Sequence, residues 1–384
     1  MEAMTMLNID YTAHNEYVRE VWRSYDAGTP IKTPVILGIN PRIWLLDPTL
    51  NTGGITFARY SADPAVMLDV QLRFHDYVRH NLIADHPMGL PAEGWAVRAD
   101  LQNVYEAAWL GAQVVYPANN SPYAVPFLTD ENKYAFVDRP IPDAYAGCMA
   151  WARMFCDYAR ARVAAGHEYR GIPLTSVHPP VFGTDGPMTV ACNLRGTGNF
   201  CVDLIEEPEY ADALLSYLTD AIITRVRAQR TAYGLPARAE NYGFADDDIA
   251  LLSCEMYRER VLPCHKRLVD ALGTPGRPVS VHLCGDATRH FLTLRDTLNV
   301  QSFDTGYPVR FGELARALGP DVRINGGVRA DRLLTGTPVE IEREARGILG
   351  EVAPYTKRFV LREANNLSPC TPPENAAALY RATL

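Results

Sequence analysis

Ser280-Val281-His282-Leu283-Cys284-Gly285-Asp286-Ala287-Thr288-Arg289-His290-Phe291 is the stretch that decides how the chain is read. From Pro278 to Leu283 the residues alternate with the period of a strand. Val279, Val281 and Leu283 fall on one face, and Ser280, His282 and Cys284 on the other. His282 and Cys284 therefore project side by side near the strand's C-terminal end, just before the glycine that ends it. An imidazole and a thiol so arranged can share a soft or borderline metal such as zinc. The same pair also fits a buried histidine beside an inert cysteine. The position of this strand in the chain separates the two.

Working outward, a helix over 249–272 precedes the strand, and before it Asn241–Phe244 reads as a weaker strand running into Ala245-Asp246-Asp247-Asp248. Downstream, a helix from Thr288 to Asp296 leads to a strand over 300–304, a helix over 311–318 and a strand from Asp321 to Ile324 that ends at Asn325-Gly326-Gly327. A helix over 338–350 precedes the last strand, 358–363, and Thr371-Pro372-Pro373-Glu374 reads as a capping box opening a short final helix. Toward the N-terminus, Tyr17, Val18, Val21 and Trp22 have helical spacing. Strands are expected over 34–39, 113–117 and 171–177, with helices over 64–82 and 142–166 and one ending at 107–110. A Gly- and Pro-rich crossing from His178 to Pro187 then leads to a helix over 208–231, opened by Glu207-Pro208-Glu209. Strands that mostly alternate with helices make an α/β chain. Eight of them predict one (β/α)8 barrel over residues 31–384, with a helical extension over 1–30.

In such a barrel the chemistry sits where strands end. The polar groups at those ends are Asn119 and Asn120, His178, Asp246, Asp247, His282, Cys284, Asp304, Asn325, Glu363 and Asn365. Asp247, Asp248 and Asn325 read equally well as caps of strand-to-helix turns, which Asp and Asn close through side-chain hydrogen bonds. Several ionisable groups converging on one mouth go beyond capping, and a carboxylate there is a candidate acid or base.

Composition narrows the class. With 47% hydrophobic and 21% charged residues the chain can bury a substantial core. A net charge of −8 argues against general nucleic-acid binding. There is no run of apolar residues long enough for a membrane span and no basic-then-apolar leader, so the expectation is a soluble, cytoplasmic protein, monomeric or homodimeric. The eight cysteines are scattered, which suits reduced thiols rather than a disulfide framework.

The second half resembles the uroporphyrinogen decarboxylase superfamily, which holds porphyrinogen decarboxylases and zinc-dependent methyltransferases that use corrinoid proteins. The matching stretches are Gly186-Pro187-Met188-Thr189 with Glu206-Glu207-Pro208-Glu209, the aspartates before Leu252-Ser253, and His282-Leu283-Cys284-Gly285. Gly306-Tyr307-Pro308, Ile324-Asn325-Gly326-Gly327-Val328, Thr335-Gly336-Thr337-Pro338 and Thr371-Pro372-Pro373-Glu374-Asn375 continue the series over roughly residues 170–384.

The resemblance implies a methyltransferase-like enzyme that moves a methyl group between a corrinoid protein, as partner, and a small-molecule acceptor, with zinc binding the acceptor thiol. His282 and Cys284 match the first two zinc ligands. Asn365 stands where the methyltransferases carry a cysteine and the decarboxylases a histidine, so the third ligand is expected from Glu363 or Cys370. Asp246, Glu363 and His282 are the expected catalytic groups; Arg42, Asn120, His178, Arg195 and Asn365 are the expected substrate-binding ones. The metal-free alternative keeps His282 as an acid/base group oriented by Asp246. The second reading is a decarboxylase acting on a porphyrinogen-like substrate, with Asp246 stabilising a cationic intermediate and Arg42 and Arg195 holding carboxylates. Arg42 is the one cation in Gly38-Ile39-Asn40-Pro41-Arg42-Ile43-Trp44, where the decarboxylases carry an arginine-rich segment. A third reading is a non-catalytic member that binds a tetrapyrrole or a corrinoid partner.

Overall fold

The computed structural model describes residues 9–384. Among the described residues ten strands run in chain order: β1 (Trp95–Val97), β2 (Gln113–Val115), β3 (Tyr123–Val125), β4 (Glu168–Tyr169), β5 (Ile172–Val177), β6 (Gly243–Ala245), β7 (Val279–Leu283), β8 (Val300–Thr305), β9 (Arg323–Gly326) and β10 (Phe359–Leu361). The chain forms two compact units. One comprises residues 9–97, 158–177 and 304–384, the other 98–157 and 178–303.

The first unit opens with the helix Tyr11–Asp26. Asp10 caps it by accepting the N–H groups of Thr12 and Ala13, and Val18, Val21 and Tyr25 form its buried stripe. Residues 1–8 of the expected N-terminal extension lie outside the described residues. The helix Pro64–Asn81 has Asp63 as N-cap and proline in its first turn, a position where a missing N–H costs nothing. β9 and β10 run parallel, and β10 is joined in parallel at Leu361 by Val35, all that remains of the strand expected over 34–39. β1 pairs in parallel with β5, and β4 turns back antiparallel against it.

In the second unit β6 and β7 are parallel, with β8 beside β7. The apolar face of β7 is the one expected, with Val279, Val281 and Leu283 all buried. The helix after β6 widens to a π-helical stretch at Tyr257–Val261 immediately before Pro263, whose missing N–H removes one regular helical bond.

Several expectations are corrected. The stretch 113–117 is not a barrel strand: its residues Gln113–Val115 form β2, which pairs antiparallel with β3 as a hairpin, and the strand parallel to β5 is Trp95–Val97. The Gly- and Pro-rich crossing is irregular from His178 to Gly186, but the stretch from there to Pro208, to which the sequence reading assigns no element, carries the helices Pro187–Arg195 and Thr197–Glu206. Gly186 and Gly196, both at φ +87°, punctuate those helices. The capping box sits at Thr337 and Glu340, whereas Thr371 donates its hydroxyl to Ser368 O and the final helix Pro373–Arg381 has no side-chain cap. Among the described residues no helix is long and apolar enough to cross a membrane.

Candidate functional site

Parallel pairing aligns Ala245 with His282, so the residues just beyond β6 emerge next to the end of β7. Alternation then sends Asp246 and Asp247 different ways. Asp246 turns inward and is fully buried. Its Oδ1 accepts the Thr189 N–H at 2.7 Å and the Thr189 hydroxyl at 2.8 Å, and its Oδ2 accepts the Met188 N–H at 3.1 Å. The carboxylate thus caps the helix Pro187–Arg195 from outside, against the positive end of its dipole. His265 Nε2 lies 2.8 Å from the same Oδ2, and its Nδ1 lies 3.1 Å from the Tyr257 hydroxyl. Gly186 has to be glycine here, because a Cβ would overlap the Asp246 carboxyl and the Ala245 carbonyl.

Asp247 turns the other way. Its Oδ1 accepts the Cys284 N–H at 2.7 Å and stands 4.0 Å from His282 Nε2. His282 Nε2 is 3.1 Å from Cys284 Sγ. Burial pushes the Cys284 thiol up, against a downward pull from its bond to His282. An imidazole nitrogen, a thiol sulfur and a carboxylate oxygen therefore lie within 4.8 Å of one another. Donors on a tetrahedral zinc sit about 3.5 Å apart, so side-chain closure of roughly an ångström would seat the ion without moving the backbone. The donor set fits the metal that the resemblance implies.

A rigid loop approaches this cluster. Glu106 and Arg225 form a buried ion pair at 2.5 Å. The Arg225 guanidinium also donates to the carbonyls of Phe182 and Gly183, and Glu106 Oε2 accepts the Thr184 hydroxyl and the Asp185 N–H. The pinned loop presents Asp185, whose carboxyl is pushed up to about 8, first by burial and then by the charges of Glu106, Asp247 and Asp246. Asp248 is pushed up to about 6, mainly by burial.

The other expected site residues are distributed as follows. Arg195 is buried and spends its guanidinium on Asp203, at 2.8 Å, on Leu128 O and on Asp130. Asn120 is exposed between β2 and β3 and accepts the Ser121 N–H, and His178 is exposed. Arg42, Glu363, Asn365 and Cys370 belong to the first unit. Glu363 is fully buried: Oε1 accepts the Gly38 N–H at 2.6 Å, Oε2 has no partner, and burial pushes the group up to about 7. Arg362 lies 3.1 Å from Glu363 and 2.5 Å from Asp304. Asn365 sits at φ +83° with its Oδ1 accepting from Asn366, and Cys370 is exposed.

Sequence reasoning left Asp247 evenly between a turn cap and a group at the barrel mouth, and passed over Asp185, Glu106, Arg225 and His265. Thr184-Asp185-Gly186-Pro187, an acid just before a Gly-Pro helix start, was a usable signal for Asp185. Nothing in the sequence linked Glu106 to a partner more than a hundred residues away.

Comparison with known proteins adds to this geometry. The chain is 30% identical over 200 residues to a methylated-thiol–coenzyme M methyltransferase of Methanosarcina mazei, covering 51% of this chain and 50% of that protein. It is 30% identical over 207 residues to the uroporphyrinogen decarboxylase of Syntrophotalea carbinolica, covering 52% of this chain and 58% of that one. The chain thus spans about half the length of these curated relatives. A solved methyltransferase structure from Methanosarcina mazei superposes with a TM-score of 0.63 at 19% identity, covering 95% of this chain and 97% of that one, and so shares its fold. The family model for uroporphyrinogen decarboxylase (URO-D) matches residues 96–383, and the chain belongs to that family.

Proposed function

We propose that this protein is a methyltransferase of the superfamily, moving a methyl group between a corrinoid carried by a partner protein and a small thiol acceptor, with its strands closed into a single (β/α)8 barrel. The observation that carries the reading is the His282–Cys284 pair, 3.1 Å apart at the end of β7. Support comes from the relative whose name specifies methyl transfer involving a thiol. Zinc, when bound, would supply a Lewis acid that holds the acceptor as thiolate at neutral pH. His282 and Cys284 would hold that ion. Asp246 positions the aspartate loop, residues 245–248 after β6, rather than meeting substrate, because its oxygens are already engaged by the helix Pro187–Arg195 and His265. Asp185, its carboxyl pushed up by burial and by the neighbouring carboxylates, would be a hydrogen-bonding group beside the cluster. Glu363 is carried as a proton-exchanging carboxyl, and Arg42, Asn120, His178 and Asn365 as substrate-binding groups.

The test supplies zinc-loaded protein with methylcobalamin and a small thiol. Loss of the methylcobalamin absorbance, with one thioether formed per cofactor consumed, is expected. Cys284→Ala should fall to the uncatalysed rate. No thioether above the protein-free control would refute the reading.

A further inference from the structure

The centre at the end of β7 needs a third protein donor, and the residue at 365 is an asparagine whose carboxamide is a poor ligand for zinc. We propose that Asp247 is that donor, giving an N/S/O centre formed wholly by residues 247–284 with no ligand from the C-terminal segment. The inference deepens the methyl-transfer reading and rests on its zinc-class cation.

Three observations carry it. Asp247, His282 and Cys284 offer one donor atom each within 4.8 Å, and all three belong to one compact unit. The carboxylate is also held in place: Oδ1 accepts the Cys284 N–H at 2.7 Å and stands 4.0 Å from His282 Nε2, so the backbone of one ligand orients the side chain of another toward the third. Finally, β6 and β7 are neighbouring parallel strands with Ala245 opposite His282, so Asp247 and Cys284, each just past its strand's end, emerge side by side.

The charge is consistent with a dication. One thiolate, one carboxylate and a neutral imidazole leave the centre uncharged overall, as two thiolates would. An oxygen ligand donates less charge than a thiolate, so the metal stays more Lewis acidic. The His282 and Asp247 side chains remain 28% and 36% exposed, so the cluster is open on one side. An open fourth position on that side suits a thiolate acceptor, whose entry would make the centre anionic.

The test measures metal binding, independently of methyl transfer. Wild type, Asp247→Ala, Asp247→Asn, Asp247→Cys, Glu363→Gln and Cys370→Ser are titrated with zinc against a chromophoric chelator, and with cobalt(II) by absorption. Circular dichroism and thermal melting confirm folding. Wild type should bind one equivalent. Asp247→Ala and Asp247→Asn should bind at least ~100-fold more weakly, since even indirect partners of metal ligands cost 10–100-fold. The asparagine variant keeps an acceptor for the Cys284 N–H, so its loss reports ligation rather than misfolding. Asp247→Cys should restore binding and raise the thiolate-to-cobalt charge-transfer band about twofold, from one sulfur ligand to two. Glu363→Gln and Cys370→Ser should bind as wild type does.

Unchanged affinity in both Asp247→Ala and Asp247→Asn, or a selective loss in Glu363→Gln or Cys370→Ser, would overturn the assignment while leaving methyl transfer standing. A wild type that binds no zinc or cobalt overturns it as well. Thioether formation in that same preparation then shows whether the functional reading fails with it.

Discussion

Glu363 shows how one buried side chain couples the fold to pH. Its Oε1 is held by the Gly38 N–H, and Gly38 must lack a Cβ because one would overlap Arg362, Asn365 and Glu363 itself. Oε2 is buried without a partner, and burial raises the group to about 7, with Arg362 pulling downward and Asp304 pushing up. The folded chain therefore keeps a proton that the unfolded chain, with an ordinary glutamate near 4.3, releases. That contribution to stability is fully present below about pH 4.3 and is lost as pH rises through about 7. Glu363→Gln, always uncharged, lacks this term. Wild type should lose roughly 3 kcal/mol relative to the glutamine variant between pH 4.5 and 8, read from urea unfolding at each pH. Parallel profiles for the two proteins would contradict the assignment.

At the scale of elements, the loop from Phe182 to Gly186 is pinned by an ion pair rather than by its own secondary structure. Glu106 and Arg225 are almost wholly inaccessible, and burial raises the Glu106 carboxyl despite the adjacent guanidinium. Removing one partner strands the other charge in the interior. Glu106→Ala and Arg225→Ala should each destabilise the fold by about 3–5 kcal/mol, a cost typical of breaking a buried pair. Denaturant unfolding measures it, and losses under 1 kcal/mol in both variants would show that the pair is not holding the loop. Asp246 braces the neighbouring element in the same manner, tying the end of β6 to the first turn of the helix Pro187–Arg195. The aspartate loop is therefore set by two rigid elements, which keeps Asp247 beside Cys284.

For the whole molecule, the relatives include a methyltransferase and a decarboxylase, and the charge complement gives a prediction about the second activity. A porphyrinogen with many carboxylates needs several charge-assisted partners. The segment after the first apolar run offers Arg42, and Arg195 is already committed to Asp203 and Asp130. The protein is expected not to convert uroporphyrinogen to coproporphyrinogen in an anaerobic assay, and sustained turnover there would refute that expectation.

What the sequence by itself determined is what local periodicity and motif order encode. The alternation from Val279 to Leu283 set the apolar face of β7 and put His282 beside Cys284, and the ordered Gly-Pro, His-x-Cys and Asn-Gly-Gly signals pointed to the family. Short elements escaped it, because three residues such as Trp95–Val97 carry too little periodicity to show, and glycines that separate two helices look like those of a loop. Only the tertiary structure decided which carboxylates do what. Asp246 and Asp247 are chemically identical neighbours in the sequence, yet one caps a helix 57 residues upstream and the other meets a thiol loop 37 residues downstream. That division follows from the register of β6 against β7, a long-range pairing that no local pattern of residues contains.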